Sequence, residues 1–295
     1  MLFEKNFKLE QLEVQEDIII NFRHNDNYGK KPLLLLHGFP QTHVMWHHIA
    51  NELNLNYHIV CPDLRGYGDS SKPNSKDESH ELYSKKNMSK DIITLMKHLG
   101  YDKFFAAGHD RGARVLHRMT KDYSFMIEKA CMLDIVPTDY MFKNTNQDFA
   151  TGYYHWYFLI QPNDLPENMI AGNPKYYLME KLFRWSANNS TFKKEAVDEY
   201  IRCFKTYEDI HATCEDYRAA ATIDLEDDEK DLSKKIEMPL LVLWGAQGFI
   251  EKTYDVVDVW KQYASNIEAK SLDCGHFLAE ESATQVIEEF RKFFK

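Results

Sequence analysis

The residues with the clearest chemical potential form the pentapeptide Gly108-His109-Asp110-Arg111-Gly112. It follows the apolar run FFAA and precedes the helical pattern ARVLHRM, which is the strand–turn–helix context of a nucleophile elbow. Glycines flank the centre because side chains would clash in so sharp a turn. The central residue is an aspartate, and a carboxylate can attack carbon directly to form an ester. Such chemistry suits displacement at an sp³ carbon, as in a carbon–halogen or an epoxide carbon–oxygen bond.

A histidine and an acid are available to complete this reaction. His276, in the sequence DCGHF, follows the last predicted strand and can deprotonate the water that hydrolyses the ester. Asp134 ends the run CML and is the predicted acid that holds the imidazole in the correct tautomer. In many proteins of this fold the acid follows the next strand instead. Here that segment reads LLVLWGAQGFI and has no carboxylate, and Glu251, which comes directly after it, is the less favoured alternative. The chain order of nucleophile, acid and histidine matches the α/β-hydrolase fold.

The sequence His37-Gly38-Phe39-Pro40 follows the predicted strand LLLL, at the place where this fold supplies an oxyanion hole. We expect the backbone amide of Phe39 to be one donor. The amide of Arg111, directly after the nucleophile, is the second. His37 itself is equally well explained as a structural histidine of the turn.

The elements that must position these residues alternate along the chain. A helix is predicted over Lys85–Leu99, where apolar residues recur at helical spacing and Gly100 ends the pattern. This alternation predicts a mostly parallel sheet with helices on both faces. Short apolar runs predict strands at Ile18–Phe22, Leu33–Leu36, His58–Cys61, Phe104–Ala107, Cys131–Leu133, Leu240–Trp244 and Ala269–Leu272.

The alternation stops between about residues 138 and 222. This segment is rich in aromatic residues, as in YYHWYF and KYYLMEKLFRW, and its pattern is mainly helical. A charged connector, EDDEKDLSKK, follows it before the strands resume. We therefore predict an α/β-hydrolase core of residues 1–137 and 223–295 and a helical cap of residues 138–222, with a pocket between them.

Five segments together resemble the fluoroacetate dehalogenases, namely HGFPQTHVMWH, GHDRGARV, YHWYFLIQP, CEDYRA and CGHFLAEE. The resemblance extends from about Leu33 to Phe294. HGFP alone is shared with epoxide hydrolases and haloalkane dehalogenases, whereas GHDRGAR combined with HW and CEDYR is specific. The resemblance implies a homodimeric haloacetate dehalogenase that converts fluoroacetate and water to glycolate and fluoride, with no cofactor and no metal.

The resemblance also assigns roles to individual residues. It places the nucleophile on Asp110, the base on His276 and the acid on Asp134. It assigns binding of the substrate carboxylate to Arg111 and Arg114, which share one face at the start of a helix. Guanidinium groups grip a carboxylate in a bidentate fashion, and the helix N-terminus adds a favourable dipole.

The halide pocket of the family falls on His155, Trp156 and Tyr217, and Trp185 matches a residue that lines the pocket. All three halide ligands offer N–H or O–H donors. Fluoride leaves poorly unless its developing charge is solvated, so these donors must replace water. Without the resemblance, YYHWYF is more typical of an aromatic core helix.

The alternative function is that of an epoxide hydrolase with the same aspartate nucleophile. Epoxide hydrolases place two cap tyrosines over the epoxide oxygen. Here the candidates are Tyr217 together with one of Tyr153, Tyr154 and Tyr157.

Composition limits the partners of this 295-residue chain. Its formal net charge of -10 argues against nucleic acid, although local arginines can still bind a small anion. The N-terminus lacks the apolar run of a secretory signal, and no stretch approaches the ~18 apolar residues of a membrane span. The five cysteines are odd in number and form no CxxC, which favours free thiols in a cytoplasmic, reducing compartment and disfavours zinc.

Overall fold

The structure, a computed structural model, describes residues 2–74, 78–188 and 191–295. A single sheet of eight strands organises these residues. The strands are β1 Phe7–Gln15, β2 Ile18–Asn25, β3 Pro32–Leu36, β4 His58–Pro62, β5 Phe104–His109, β6 Ile127–Leu133, β7 Leu240–Gly245 and β8 Ile267–Leu272.

The strands lie in the order β1-β2-β4-β3-β5-β6-β7-β8. From β4 to β8 every neighbouring pair is parallel, whereas β2 runs antiparallel to both β1 and β4. All residues of β3, β5 and β7 are buried, which explains their continuous apolar runs. The predicted fold class, an α/β-hydrolase fold with a mostly parallel sheet, is confirmed.

Each of the seven predicted strands is present, and each is longer than its apolar run. The first strand, β1, was not predicted. It pairs only with β2 at the edge of the sheet, and most of its residues are exposed. Its charged residues therefore hide the alternation that a strand with one buried face would show.

Helices connect the strands on the expected plan. The predicted helix over Lys85–Leu99 is present, and Gly100 after it has a φ of +85°. The helices are α1 His47–Leu53, α2 Lys85–His98, α3 Arg111–Asp122, α4 Thr138–Lys143, α5 Gln147–Gly152, α6 His155–Phe158, α7 Leu165–Ala171, α8 Pro174–Trp185, α9 Lys194–Arg202, α10 Tyr207–Ala221, α11 Ile223–Lys230, α12 Phe249–Thr253, α13 Val256–Tyr263, α14 Leu278–Glu281 and α15 Ala283–Phe293.

The insertion between β6 and β7 contains the helices α4 to α11. Its described residues include no strand. The prediction of a connector over EDDEKDLSKK is wrong for residues 226–230, because they form the second half of α11. Its buried acids Asp224 and Asp227 make polar contacts that a solvated linker would lack. The division into a core and a cap at residues 138 and 222 stays a prediction.

Two further features concern the environment of the chain. All five cysteines are buried free thiols. No helix among the described residues is long and apolar enough to cross a lipid bilayer.

Candidate active site

Asp110 occupies the sharp turn between β5 and α3, with a φ of +46° and a ψ of −116°. Backbone in this conformation is strained for a residue other than glycine, and such strain is typical of functional positions. The turn also packs tightly on its neighbours. A Cβ atom on Gly112 would lie 2.3 Å from the carbonyl oxygen of His37, and one on Gly38 would lie 2.4 Å from Cβ of Asp110. Both glycines therefore allow the HGFP loop to approach the elbow.

The carboxylate of Asp110 is buried and already holds one backbone donor. The amide of Phe39 donates a 2.9 Å hydrogen bond to its Oδ1 atom. Burial alone would raise the pKa of Asp110, but nearby His276 and the arginines Arg114 and Arg111 lower it below its usual value. The group is therefore an ionised nucleophile at neutral pH. The amide of Arg111, the second predicted donor, lies next to it at the start of α3.

His276 lies between Asp134 and Asp110. Its Nδ1–H donates a 2.5 Å hydrogen bond to Oδ2 of Asp134, while its Nε2 lies 3.9 Å from Oδ2 of Asp110. The amide of Gly245 donates to the other oxygen of Asp134 at 2.9 Å. The imidazole is therefore fixed with Nε2 facing the nucleophile, and Nε2 has no partner among the described residues.

The charge state of His276 follows from these two neighbours. Burial lowers its pKa, but the hydrogen bond and the negative charge of Asp134 raise it more, and the charge of Asp110 adds to the increase. The pKa is therefore above the ordinary value of histidine. A change in the charge of Asp110 would alter the basicity of His276 directly.

The polar side chains of the loop after β7 bond to residues other than His276. Glu251, the alternative acid, accepts a hydrogen bond from the indole of Trp244. Gln247, at the position where many relatives carry the carboxylate, donates to Asp273 at 2.7 Å. Among the described residues, neither side chain forms a hydrogen bond with His276.

Arg111 is fully buried, and an acid of the insertion orients it. Its Nε and Nη2 atoms donate to the carboxylate of Asp216 at 2.7 and 2.9 Å. This is a departure from the expected bidentate grip on a substrate, because the fork of the guanidinium is already occupied. Nη1 is buried and has no partner among the described residues, so it is the part of Arg111 that remains for a ligand.

The sequence did not identify Asp216 as a residue of the site, and it did not identify the partners of its carboxylate. Its carboxylate also accepts from the hydroxyl of Tyr67 at 2.6 Å and from the ammonium of Lys85. The signal was present in CEDYRA, where Asp216 directly precedes Tyr217. Because Asp216 is bonded to residues 105 and 149 positions away, nothing in the local pattern identified its partners.

Arg114 lies one helical turn after the nucleophile and is also buried. Its Nη1 donates to the carbonyl oxygen of Val136 at 3.1 Å and to the hydroxyl of Thr138 at 2.9 Å. Burial and the positive charge of Arg111 lower its pKa to about 10, so it remains charged at neutral pH. Its Nε has no partner among the described residues, and no ion pair there neutralises it. Arg114 therefore brings a buried cation with an unpartnered donor next to the Asp110 carboxylate.

The predicted halide ligands pack on these two arginines. The guanidinium of Arg111 lies 4.2 Å from the ring centre of Tyr217, and that of Arg114 lies 4.6 Å from Trp156. The ring of His155 lies 5.5 Å from that of Tyr217. The Tyr217 hydroxyl and Nδ1 of His155 are buried without a partner in the described part of the chain. Cationic and neutral donors thus lie next to each other at this site.

Trp185 joins the insertion to the base. Its ring lies 4.7 Å from that of His155 and 5.4 Å from that of His276. Its carbonyl oxygen accepts a 2.8 Å hydrogen bond from the amide of His276. Trp185 therefore contacts both His155 and the base, and its role as a pocket-lining residue stays a prediction.

The three tyrosines of YYHWYF have different positions. Tyr153 is buried, and its ring lies 5.2 Å from that of His155. Tyr154 is partly exposed, and the Tyr157 hydroxyl is bonded to Thr145 at 2.8 Å. Burial and the charges of Asp134 and Asp110 raise the pKa of Tyr153. Of the three, Tyr153 is thus the one beside the site.

Comparisons with known proteins agree with this architecture. The family model described as alpha/beta hydrolase fold matches residues 31–283. A fluoroacetate dehalogenase from Burkholderia sp is 39% identical over 88% of this chain and 86% of its own. A soluble epoxide hydrolase from Corynebacterium sp. (strain C12) is 31% identical over 89% of this chain and 90% of its own. The crystal structure of an alpha/beta hydrolase from Nostoc sp PCC 7120 has a TM-score of 0.96 at 49% identity, covering 100% of this chain and 99% of that one.

The chain belongs to the α/β-hydrolase fold family and is an enzyme of the hydrolase type. The chain is similar to both a dehalogenase and an epoxide hydrolase, so the comparisons leave the specific reaction open.

Proposed function

We propose that this α/β-hydrolase is a haloacetate dehalogenase, which converts fluoroacetate and water to glycolate, fluoride and a proton. The observation that carries the proposal is the pair of buried guanidinium groups of Arg111 and Arg114 beside Asp110. Each has an N–H donor with no partner in the described residues. Buried unpaired donors are costly unless a ligand satisfies them, and a carboxylate does so.

In the first step, Oδ2 of Asp110 attacks the carbon that carries fluorine. The new C–O bond forms as the C–F bond breaks, and fluoride leaves with the bonding electron pair. Oδ1 already accepts a hydrogen bond from the amide of Phe39. It keeps this hydrogen bond when it becomes the carbonyl oxygen of the ester. The oxyanion donor is thus arranged before the charge that it must stabilise develops.

In the second step, water attacks the ester carbonyl carbon of Asp110. Nε2 of His276 faces this group and accepts the proton of the water, while Asp134 stabilises the imidazolium that forms. Collapse of the tetrahedral intermediate releases glycolate and restores the Asp110 carboxylate. The proton then leaves His276 to solvent, which balances the reaction.

Ester formation also prepares His276 for the second step. The negative charge of Asp110 contributes to the raised pKa of His276 in the free enzyme. Esterification removes that charge, so the pKa of His276 falls and its neutral form becomes more populated. The base is therefore generated when it is needed.

The halide ligands supply the remaining stabilisation. His155 is neutral, because burial and nearby positive charges lower its pKa well below 6.5. With Trp156 and Tyr217 it offers uncharged donors to the departing fluoride. The adjacent guanidinium groups increase the positive potential at the same point.

The second candidate is an epoxide hydrolase, which the position of Tyr153 favours. Tyr153 and Tyr217 both lie beside His155, as a pair that donates to an epoxide oxygen would. A neutral epoxide, however, offers no anionic acceptor to the unpartnered N–H donors of Arg111 and Arg114. The haloacid therefore accounts for more of the site.

One assay separates the two functions. Purified protein is incubated with fluoroacetate and, separately, with styrene oxide. Fluoride release is measured with an ion-selective electrode, and diol by chromatography. Fluoride without diol supports the proposal, whereas diol without fluoride overturns it in favour of the epoxide hydrolase.

The halide ligands lead to a prediction about leaving groups. Tyr217→Phe and Trp156→Phe each remove one donor and keep most of the volume. Loss of a preorganised donor typically costs about 2.7–4 kcal/mol of transition-state stabilisation. We expect kcat on fluoroacetate to fall by roughly 100- to 1,000-fold, and kcat on chloroacetate to fall much less. Fluoride concentrates its charge more than chloride and depends more on hydrogen bonds.

The control for this prediction is Tyr157→Phe, which removes a hydroxyl bonded to Thr145 outside the site. It should change neither rate. Equal losses on the two substrates in the Tyr217 and Trp156 variants would show that these residues only shape the pocket.

A further inference from the structure

A surface cavity has His276 in its lining. It encloses about 390 Å³ between the insertion and the core. Tyr153 and Trp185 of the insertion and His276 of the core are among the residues that line it. Because the Trp185 ring contacts both His155 and His276, this cavity meets the site at the base and the halide ligands.

The charges that line this cavity differ from those that line three other surface cavities. Its lining includes the cations Arg184 and Lys252 and no carboxylate. Three other surface cavities are each lined by three or more carboxylates. Both cations are exposed, and neither forms an ion pair within the described residues. The lining of this cavity therefore carries positive charge in a chain whose formal net charge is -10.

We propose that this cavity is the entrance for the anionic substrate, and that Arg184 and Lys252 attract the substrate electrostatically. The inference rests on the proposed function for the identity of the anion. A chain with this net charge repels a carboxylate at long range, so an uncompensated mouth would slow entry. Cations at a concave, low-dielectric opening focus the field and raise the local concentration of an anion. Their effect extends over about one Debye length, 8–10 Å at moderate ionic strength.

The test removes both charges without touching the chemistry. In the double variant Arg184→Gln, Lys252→Gln, kcat/KM for fluoroacetate should fall about ten-fold at low ionic strength, within the range of such steering effects. The value of kcat should stay unchanged, so the loss appears in KM. The difference between variant and parent should disappear at high salt, since salt screens exposed charges.

The matched control is Lys86→Gln, Lys97→Gln, which removes two exposed cations of α2 that lie outside the cavity. It lowers the net charge equally. If the control loses as much kcat/KM as the cavity variant, the effect belongs to net charge and the inference fails. A cavity variant that keeps full kcat/KM, or loses kcat instead, overturns it as well.

A second measurement keeps this inference separate from the proposed function. The fluorescence of Trp185 is obtained as the difference between each protein and its Trp185→Phe variant. Quenching of this fluorescence by iodide, an anion, is then compared with quenching by acrylamide, which is neutral. The cavity variant should reduce quenching by iodide and leave quenching by acrylamide unchanged. Unchanged iodide quenching contradicts the entrance even in an active enzyme. If the parent protein releases no fluoride, the proposed function fails, but reduced iodide quenching would still identify an anion entrance.

Discussion

The variant His276→Asn should accumulate a covalent carboxymethyl ester on Asp110 when it is given fluoroacetate. Attack by Asp110 needs no base, so the first step remains. Hydrolysis needs Nε2 of His276, the basic atom that faces the nucleophile, and therefore stalls. We expect steady-state turnover to fall by roughly 10⁴-fold or more, as when a member of a catalytic triad is removed.

The measurement combines fluoride release with mass spectrometry. A single equivalent of fluoride per active site should appear as a burst. The peptide that contains Asp110 should gain the mass of a carboxymethyl group. The control is the double variant with Asp110→Ala, which should give neither the burst nor the adduct.

Two outcomes would contradict the mechanism. The first is an adduct on a residue other than Asp110. The second comes from a single turnover of the parent enzyme in ¹⁸O-labelled water. The ester route places the label in the Asp110 carboxylate, because water attacks the carbonyl carbon. Label in glycolate and none in Asp110 would mean that water displaces fluoride directly.

The elbow and the base could be read from the sequence because their signals are local. GHDRG is five consecutive residues after a buried strand, and a turn of this kind imposes its own glycines. The acid was harder, since two positions were open. Asp134 and His276 are 142 residues apart, and only the sheet, which aligns the ends of β6, β7 and β8, brings them into contact.

The parts that could not be read depend on contacts between distant segments. Arg111 was expected to use its whole fork on a substrate, but Asp216 occupies that fork across 105 residues. The tyrosines of YYHWYF are similar in composition and adjacent in sequence. Their different directions follow from the packing of α5 and α6, so sequence left three candidates where the structure has one.

The variant Arg114→Met should lose most of its activity on fluoroacetate. The substitution keeps the length of the side chain and removes its charge, which leaves the buried substrate carboxylate poorly paired. Such a loss costs about 2–5 kcal/mol, or roughly a 30- to several-thousand-fold decrease in kcat/KM. Arg114 is a cleaner test than Arg111, because removing Arg111 would also leave Asp216 without its main partner.

The control is Arg118→Met, one turn further along α3. Arg118 is also buried, and it pairs with Asp122 and Asp231 and not with any group of the site. Both variants lose hydrogen bonds and should melt at a lower temperature, so a loss of stability is common to them. Only Arg114→Met should lose kcat/KM at a temperature where both are folded. If it retains activity within a few-fold of the parent, Arg114 does not bind the substrate, and the unpartnered guanidinium donors beside Asp110 no longer argue for a haloacid.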